Sequence, residues 1–105
     1  MLQFLRQLFT NENTAVLQNA VKNGAYLVDV RTPGEFASGS VKGAVNIPLD
    51  KVQSQLQAFK NKTSIVVFCR SGSRSSQAKS ILMKNGFTNV INGGTWQHLK
   101  QIVNK

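Results

Sequence analysis

The chain has a single cysteine, Cys69, and it stands in the run Val66-Val67-Phe68-Cys69-Arg70-Ser71-Gly72-Ser73-Arg74-Ser75. A thiol attacks as the thiolate, so the first question is whether this setting favours an anion. Gly72 permits a tight turn in which successive backbone N–H groups point inward. A helix starting near Ser75 adds the positive end of its dipole. Arg70 and Arg74 add two formal charges. In such settings a cysteine pKa of about 8.5 falls to roughly 3.5–7.5. The chemistry these residues suit is nucleophilic catalysis by Cys69. Arg70, Ser71, Gly72, Ser73, Arg74 and Ser75 would bind an anionic substrate. A cysteine in the middle of an apolar strand would read as a small buried hydrophobe. Its place at the end of such a run, beside two arginines and a glycine, favours the functional reading.

That loop needs a strand before it and a helix after it, and the flanking patterns supply both. Residues 26–30, 44–48 and 64–68 are short apolar runs, and 89–91 is a shorter one. Runs of this kind suit strands buried on both faces of a parallel sheet. Helical patterns lie between them. Residues 13–24 place Val16, Leu17, Ala20 and Val21 on one face, with Asn13 or Thr14 as cap and Gly24 at the stop. Residues 49–59 set Val52, Leu56 and Phe59 at spacings of four and three. Residues 75–86 carry Ala78, Ile81 and Leu82 behind serine caps. The closing stretch, 93–103, carries Trp96, Leu99, Ile102 and Val103. Strand–helix alternation predicts an α/β three-layer domain, with Cys69 at the carboxyl end of a strand, where open α/β sheets bind ligands.

The 105 residues suit one small domain, spanning 13–105, after an N-terminal segment 1–12 expected to be helical. Hydrophobic residues make up 41%, a globular composition. No apolar run approaches the ~18 residues of a membrane span. The segment Met1-Leu2-Gln3-Phe4-Leu5-Arg6-Gln7-Leu8-Phe9 lacks the small-residue cleavage site of a signal peptide. It reads as a short helix packed on the domain, with a weak interfacial anchor or docking surface as the alternative. One cysteine allows no internal disulfide and fits a reducing compartment, so the expected location is cytoplasmic, or periplasmic if a signal segment was removed. The net charge of +9 comes from thirteen basic residues against four acids. The lysines are scattered without aromatic interleaving, which suits a solvated cationic surface and not a nucleic-acid partner.

The motifs together resemble a single-domain rhodanese, a thiosulfate sulfurtransferase. The resemblance rests on Asp29-Val30-Arg31, Glu35-Phe36, Gly43-Ala44-Val45-Asn46-Ile47-Pro48, the cysteine loop and Gly93-Gly94, and it covers about residues 13 to 103. It implies a rhodanese-like three-layer fold, with a central parallel sheet of five strands flanked by helices. Four strands are legible, so the first would be short and lie near residues 10–13. The family often has histidine where Ser40 stands, a loss without catalytic weight, and its tryptophan usually falls a few residues after the position of Trp96. His98 lies outside every motif and reads as a surface or helix residue. Cysteine-based phosphatases and arsenate reductases use Cys-x5-Arg. Here that last position is Ser75, and the loop from Cys69 to Arg74 has the six-residue sulfurtransferase length.

The resemblance implies a double displacement through a persulfide on Cys69, held by the N–H groups of residues 70 to 74. Sulfur passes from a small anionic donor such as thiosulfate to an external thiol or cyanide. Arg70 and Arg74 would position the sulfonate or the loop, with Ser71, Ser73 and Ser75 as hydroxyl donors or caps. Asp29, Arg31 and Glu35 would support the site from beneath, Glu35 pairing with Arg31. Neither a metal nor an organic cofactor is implied. The alternative is a persulfide carrier or regulatory sulfur-relay module serving a dedicated, sulfur-accepting protein.

Overall fold

A computed structural model describes residues 14–104. The expected N-terminal helix and the expected strand at 10–13 lie outside the described residues. The described chain runs α1 (14–22), β1 (Tyr26–Asp29), α2 (Pro33–Ala37), β2 (Val45–Asn46), α3 (Leu49–Val52), a 3-10 segment (Gln53–Phe59), β3 (Ile65–Cys69), α4 (Ser73–Lys84), β4 (Val90–Thr95) and α5 (Trp96–Val103). Among the described residues the sheet has four strands in the order β2-β1-β3-β4, all parallel. Helices cover both faces, which makes the three-layer α/β arrangement that strand–helix alternation predicts.

β3 is central and wholly buried, so its residues alternate between two cores. Ile65, Val67 and Cys69 join Val28, Val52, Phe59, Ala78 and Leu82 beneath α3 and α4. Val66 and Phe68 join Leu17, Ala20, Leu27, Leu99 and Ile102 beneath α1 and α5. The period-two geometry of a strand therefore aims the Cys69 side chain at α4. On α1 the buried stripe is Leu17 and Ala20 with Val21 half-buried beside them, whereas Val16 is 48% exposed.

Three elements depart from the sequence reading. The run at 44–48 yields only a two-residue edge strand, with Val45 exposed, because an edge strand has one neighbour and one open side. The helix expected over 49–59 breaks at Gln55 (φ −124°, ψ 35°) and continues as 3-10 turns. Residues three apart eclipse in a 3-10 helix, which keeps Leu56 and Phe59 on one side, and Val52 and Phe59 both reach the core, where Phe59 meets Tyr26 and Phe87 edge-on. β4 runs past residue 91, through the glycine pair to Thr95. Val67 pairs with Asn92 and Phe68 with Gly94, so Gly93 is the extra residue of a bulge. A Cβ on Gly93 would sit 2.8 Å from Val66 Cγ1, which fixes glycine there.

Candidate active site

The loop after β3 closes on the sulfur. Gly72 is the N-cap of α4 and has φ +95°, a left-handed conformation that glycine adopts freely. That turn aims its N–H at Cys69 Sγ, at 3.0 Å. The Ser75 N–H lies 3.4 Å from the same sulfur, and the Ser75 hydroxyl is also at 3.4 Å. Ser75 is the third residue of the helix, and its N–H has no partner within the helix. In an ordinary N-cap a serine or aspartate side chain would accept that N–H. Here Cys69, reaching over from β3, accepts it instead. The helix begins two residues earlier than its serines suggest, and the thiol does the capping.

Cys69 has no accessible surface. Burial pushes its pKa up, but the hydrogen bonds of the Ser75 hydroxyl and of the Ser75, Ser71 and Gly72 N–H groups outweigh it, and the net displacement is downward. The N–H groups of Gly72 and Ser75 thus favour the thiolate more than a free cysteine's surroundings do. The inward set expected from residues 70 to 74 is shifted toward the helix, since Ser75 supplies an N–H to the sulfur and sets its hydroxyl between Sγ and Asn92 Oδ1.

The two arginines do not sit on the sulfur. Arg74 forms a two-pronged ion pair with Glu35, Nη1 to Oε1 at 2.7 Å and Nη2 to Oε2 at 3.0 Å. Glu35 is itself fixed at the start of α2, where Oε1 accepts the Thr32 N–H at 3.0 Å and Thr32 Oγ1 accepts the Glu35 N–H. The Arg74 hydrogen bond, followed by the Thr32 N–H, holds the Glu35 pKa at about 2. Arg74 is raised in turn, first by Glu35 and more weakly by the negative charge of Cys69 and Asp29. Arg70 and Ser73 are exposed. The run Thr32-Pro33-Gly34-Glu35 carries the spacing of a capping box with proline at the first helical position, a helix-start signal passed over in the sequence reading.

Glu35 therefore pairs with Arg74 and not, as expected, with Arg31. Arg31 is occupied by Asp29, two residues away at the end of β1, through Nε to Oδ1 at 3.0 Å and Nη2 to Oδ2 at 2.7 Å. Both residues are buried. Two charges removed from water persist only when their other valences are met. The Arg31 backbone N–H and the Ser40 hydroxyl also donate to Asp29, Gly39 O accepts from Arg31 Nη2, and the Trp96 ring lies 4.9 Å from the guanidinium. Ser40, at the position where histidine was expected, thus supplies a hydrogen bond to Asp29 at 2.7 Å. Trp96 covers the buried pair. His98 lies on α5, with Nε2 3.2 Å from Thr14 Oγ1, and serves packing between α5 and α1.

One residue at the site was not singled out from the sequence. Asn92, on β4 beside the bulge, accepts the Ser75 hydroxyl at 2.7 Å and the Gly94 N–H at 3.0 Å on Oδ1, and its Nδ2 donates to Gly72 O at 3.2 Å. It ties β4 to both ends of the thiol's hydrogen-bond shell.

A parallel α/β sheet with a buried, N–H-ringed cysteine at a strand's carboxyl end has a counterpart among known families. The profile of the rhodanese-like domain matches residues 13–95. The chain belongs to the rhodanese-like domain family. A rhodanese with anions from Escherichia coli superposes with a TM-score of 0.66 at 34% identity, over 71% of this chain and 91% of that one. Among curated relatives, a sulfurtransferase of Allochromatium vinosum is 38% identical over 66 residues, 63% of this chain and 62% of the relative. The thiosulfate sulfurtransferase PspE of Escherichia coli is 41% identical over 70 residues, 64% of this chain and 66% of the relative. This chain thus spans a little under two thirds of these relatives' lengths. Among the described residues no helix is long and apolar enough to cross a membrane.

Proposed function

We propose that this rhodanese-like domain moves sulfane sulfur from thiosulfate to a thiophilic acceptor through a persulfide on Cys69. The observation that carries the reading is the convergence of the Gly72 and Ser75 N–H groups on one buried thiol, which favours the thiolate. The Cys69 thiolate attacks the outer sulfur of thiosulfate. The bond between the two thiosulfate sulfurs breaks, and sulfite leaves with its electron pair. The Cys69 persulfide carries its negative charge on the outer sulfur, within reach of the same donors. Cyanide or an external thiol then attacks that outer sulfur. The Cys69 thiolate is released, and thiocyanate or a new persulfide departs.

The arginines divide the remaining work. Arg70, exposed at the mouth of the loop, meets the incoming sulfonate. Arg74, neutralised by Glu35, anchors α4 to α2 and so keeps the helix start in register with the sulfur. The acceptor must come from outside, because the chain has no second cysteine to resolve the persulfide.

The test is intact-mass spectrometry after thiosulfate treatment, beside a thiosulfate:cyanide assay. The wild type should gain one sulfur atom, lose it to dithiothreitol or cyanide, and turn over. Cys69→Ala should neither gain the sulfur nor turn over. A wild type that neither gains the sulfur nor forms thiocyanate would refute the reading.

A further inference from the structure

The orientation of the Asn92 amide is dictated by two backbone groups. Gly94 N–H can only donate and Gly72 C=O can only accept, so Oδ1 faces the first and Nδ2 the second. The oxygen that faces Ser75 is therefore an acceptor, and the Ser75 hydroxyl proton lies along the 2.7 Å line to it. A serine hydroxyl has one proton. While that proton points at Asn92, it cannot serve Cys69 Sγ, which lies 3.4 Å from the same oxygen. The neutral thiol suits this state, because its S–H can donate to the free lone pair of Ser75 Oγ. The thiolate does not suit it, because sulfur and oxygen would then meet lone pair to lone pair.

We propose that Asn92 is a positioning residue that sets the ionisation of Cys69 by competing with the sulfur for the single hydroxyl proton of Ser75. On ionisation the thiol proton goes to solvent, and the Ser75 hydroxyl rotates about its C–O bond from Oδ1 to the sulfur. Asn92 Oδ1 keeps the Gly94 N–H, so the exchange leaves no buried acceptor orphaned. The bulge at Gly93 places Asn92 for this role, since it ends regular pairing immediately after the Val67–Asn92 step. The charged groups around the thiol are engaged elsewhere: Arg74 of α4 with Glu35 of α2, and Asp29 of β1 with Arg31. Arg70 is exposed in the loop, and Lys79 of α4 borders the recess beside Asn92, to which α1 contributes the uncharged Val16. Among the described residues none of these charges hydrogen-bonds Ser75 Oγ or Asn92.

The proposal rests on Cys69 as the reacting thiol, and it is tested on the untreated protein without any sulfur donor, so its outcome is separate from that of the transfer assay. The thiolate absorbance of Cys69 is titrated in the wild type, Ser75→Ala, Asn92→Ala and the double variant. Ser75→Ala should raise the midpoint. Asn92→Ala should lower it by about half to one pH unit, the worth of one neutral hydrogen bond. In the Ser75→Ala background, Asn92→Ala should move nothing. A purely structural Asn92 would shift both backgrounds alike, and that result, or no downward shift with Ser75 present, overturns the proposal. Should Asn92→Ala fail to fold, Asn92→Asp replaces it. Its carboxylate should raise the midpoint more with Ser75 than in the Ser75→Ala background, and equal shifts overturn the proposal.

Discussion

Gly72→Ala separates the two things this glycine does. An added Cβ would meet only Gly94 Cα, at 3.6 Å, an ordinary contact, so crowding is not the issue. The issue is φ +95°, where an L-residue costs about 1–2 kcal/mol. The chain has two responses. If the loop holds its shape, the strain appears as lost stability, and each kcal/mol lowers the melting temperature by about 4–8 °C in a domain of this size. If the loop relaxes, its N–H leaves the sulfur, where it now sits at 3.0 Å. A hydrogen bond to a charged group is worth about 1.5–3 kcal/mol, so the Cys69 midpoint would rise by about one to two pH units. The linkage has a definite sign. A thiol with a depressed folded pKa adds stability above its unfolded value of about 8.5, and that stability is lost as pH falls through the folded value. The unfolded value is common to both proteins, so a relaxed variant should show a stability deficit that widens between the wild-type midpoint and its own higher midpoint and then levels. Thermal melts across pH and a thiolate titration measure both quantities. A variant with wild-type melting and a wild-type midpoint would show that Gly72 neither holds strain nor serves the sulfur.

Glu35→Gln should be destabilising at neutral pH. Because the Glu35 pKa is held at about 2, that deficit should shrink as pH falls from the ordinary glutamate range of about 4.3 through 2, and acid melts in low salt will show whether it does. The arginines should separate in kinetics. Arg70→Ala should lower kcat/KM for thiosulfate by about one to two decades with melting unchanged, whereas Arg74→Ala should lower the melting temperature as well, and identical behaviour of the two would refute the division of roles.

The sheet was legible in the sequence because β1 and β3 are buried on both faces and so carry unbroken apolar runs. Cys69 was legible because its position at the end of such a run tells the strand's face and end together. Glycine is a weak strand former, which hid the extension of β4 through Gly93 and Gly94, and with it the setting of Asn92. Partner choice was the other gap. Glu35 stands near Arg31 in sequence, yet α2 turns it toward α4, and Asp29 satisfies Arg31 across two residues of extended chain. Nor do serine caps reveal that a helix start is capped from another element, since the sulfur that replaces the cap lies three residues before Gly72, at the end of β3.

The complete enclosure of Cys69 has a kinetic consequence. Every reagent, whether donor, alkylator or oxidant, must pass the same gate before it meets the sulfur. At low concentration such reagents react at rates set by their own chemistry. At high concentration their rates should converge on a common ceiling, the frequency at which the residues enclosing the sulfur part. Selection among electrophiles then falls to size and charge at the gate, and small anions drawn by a cationic surface hold the advantage over bulky neutral thiol reagents of equal intrinsic reactivity.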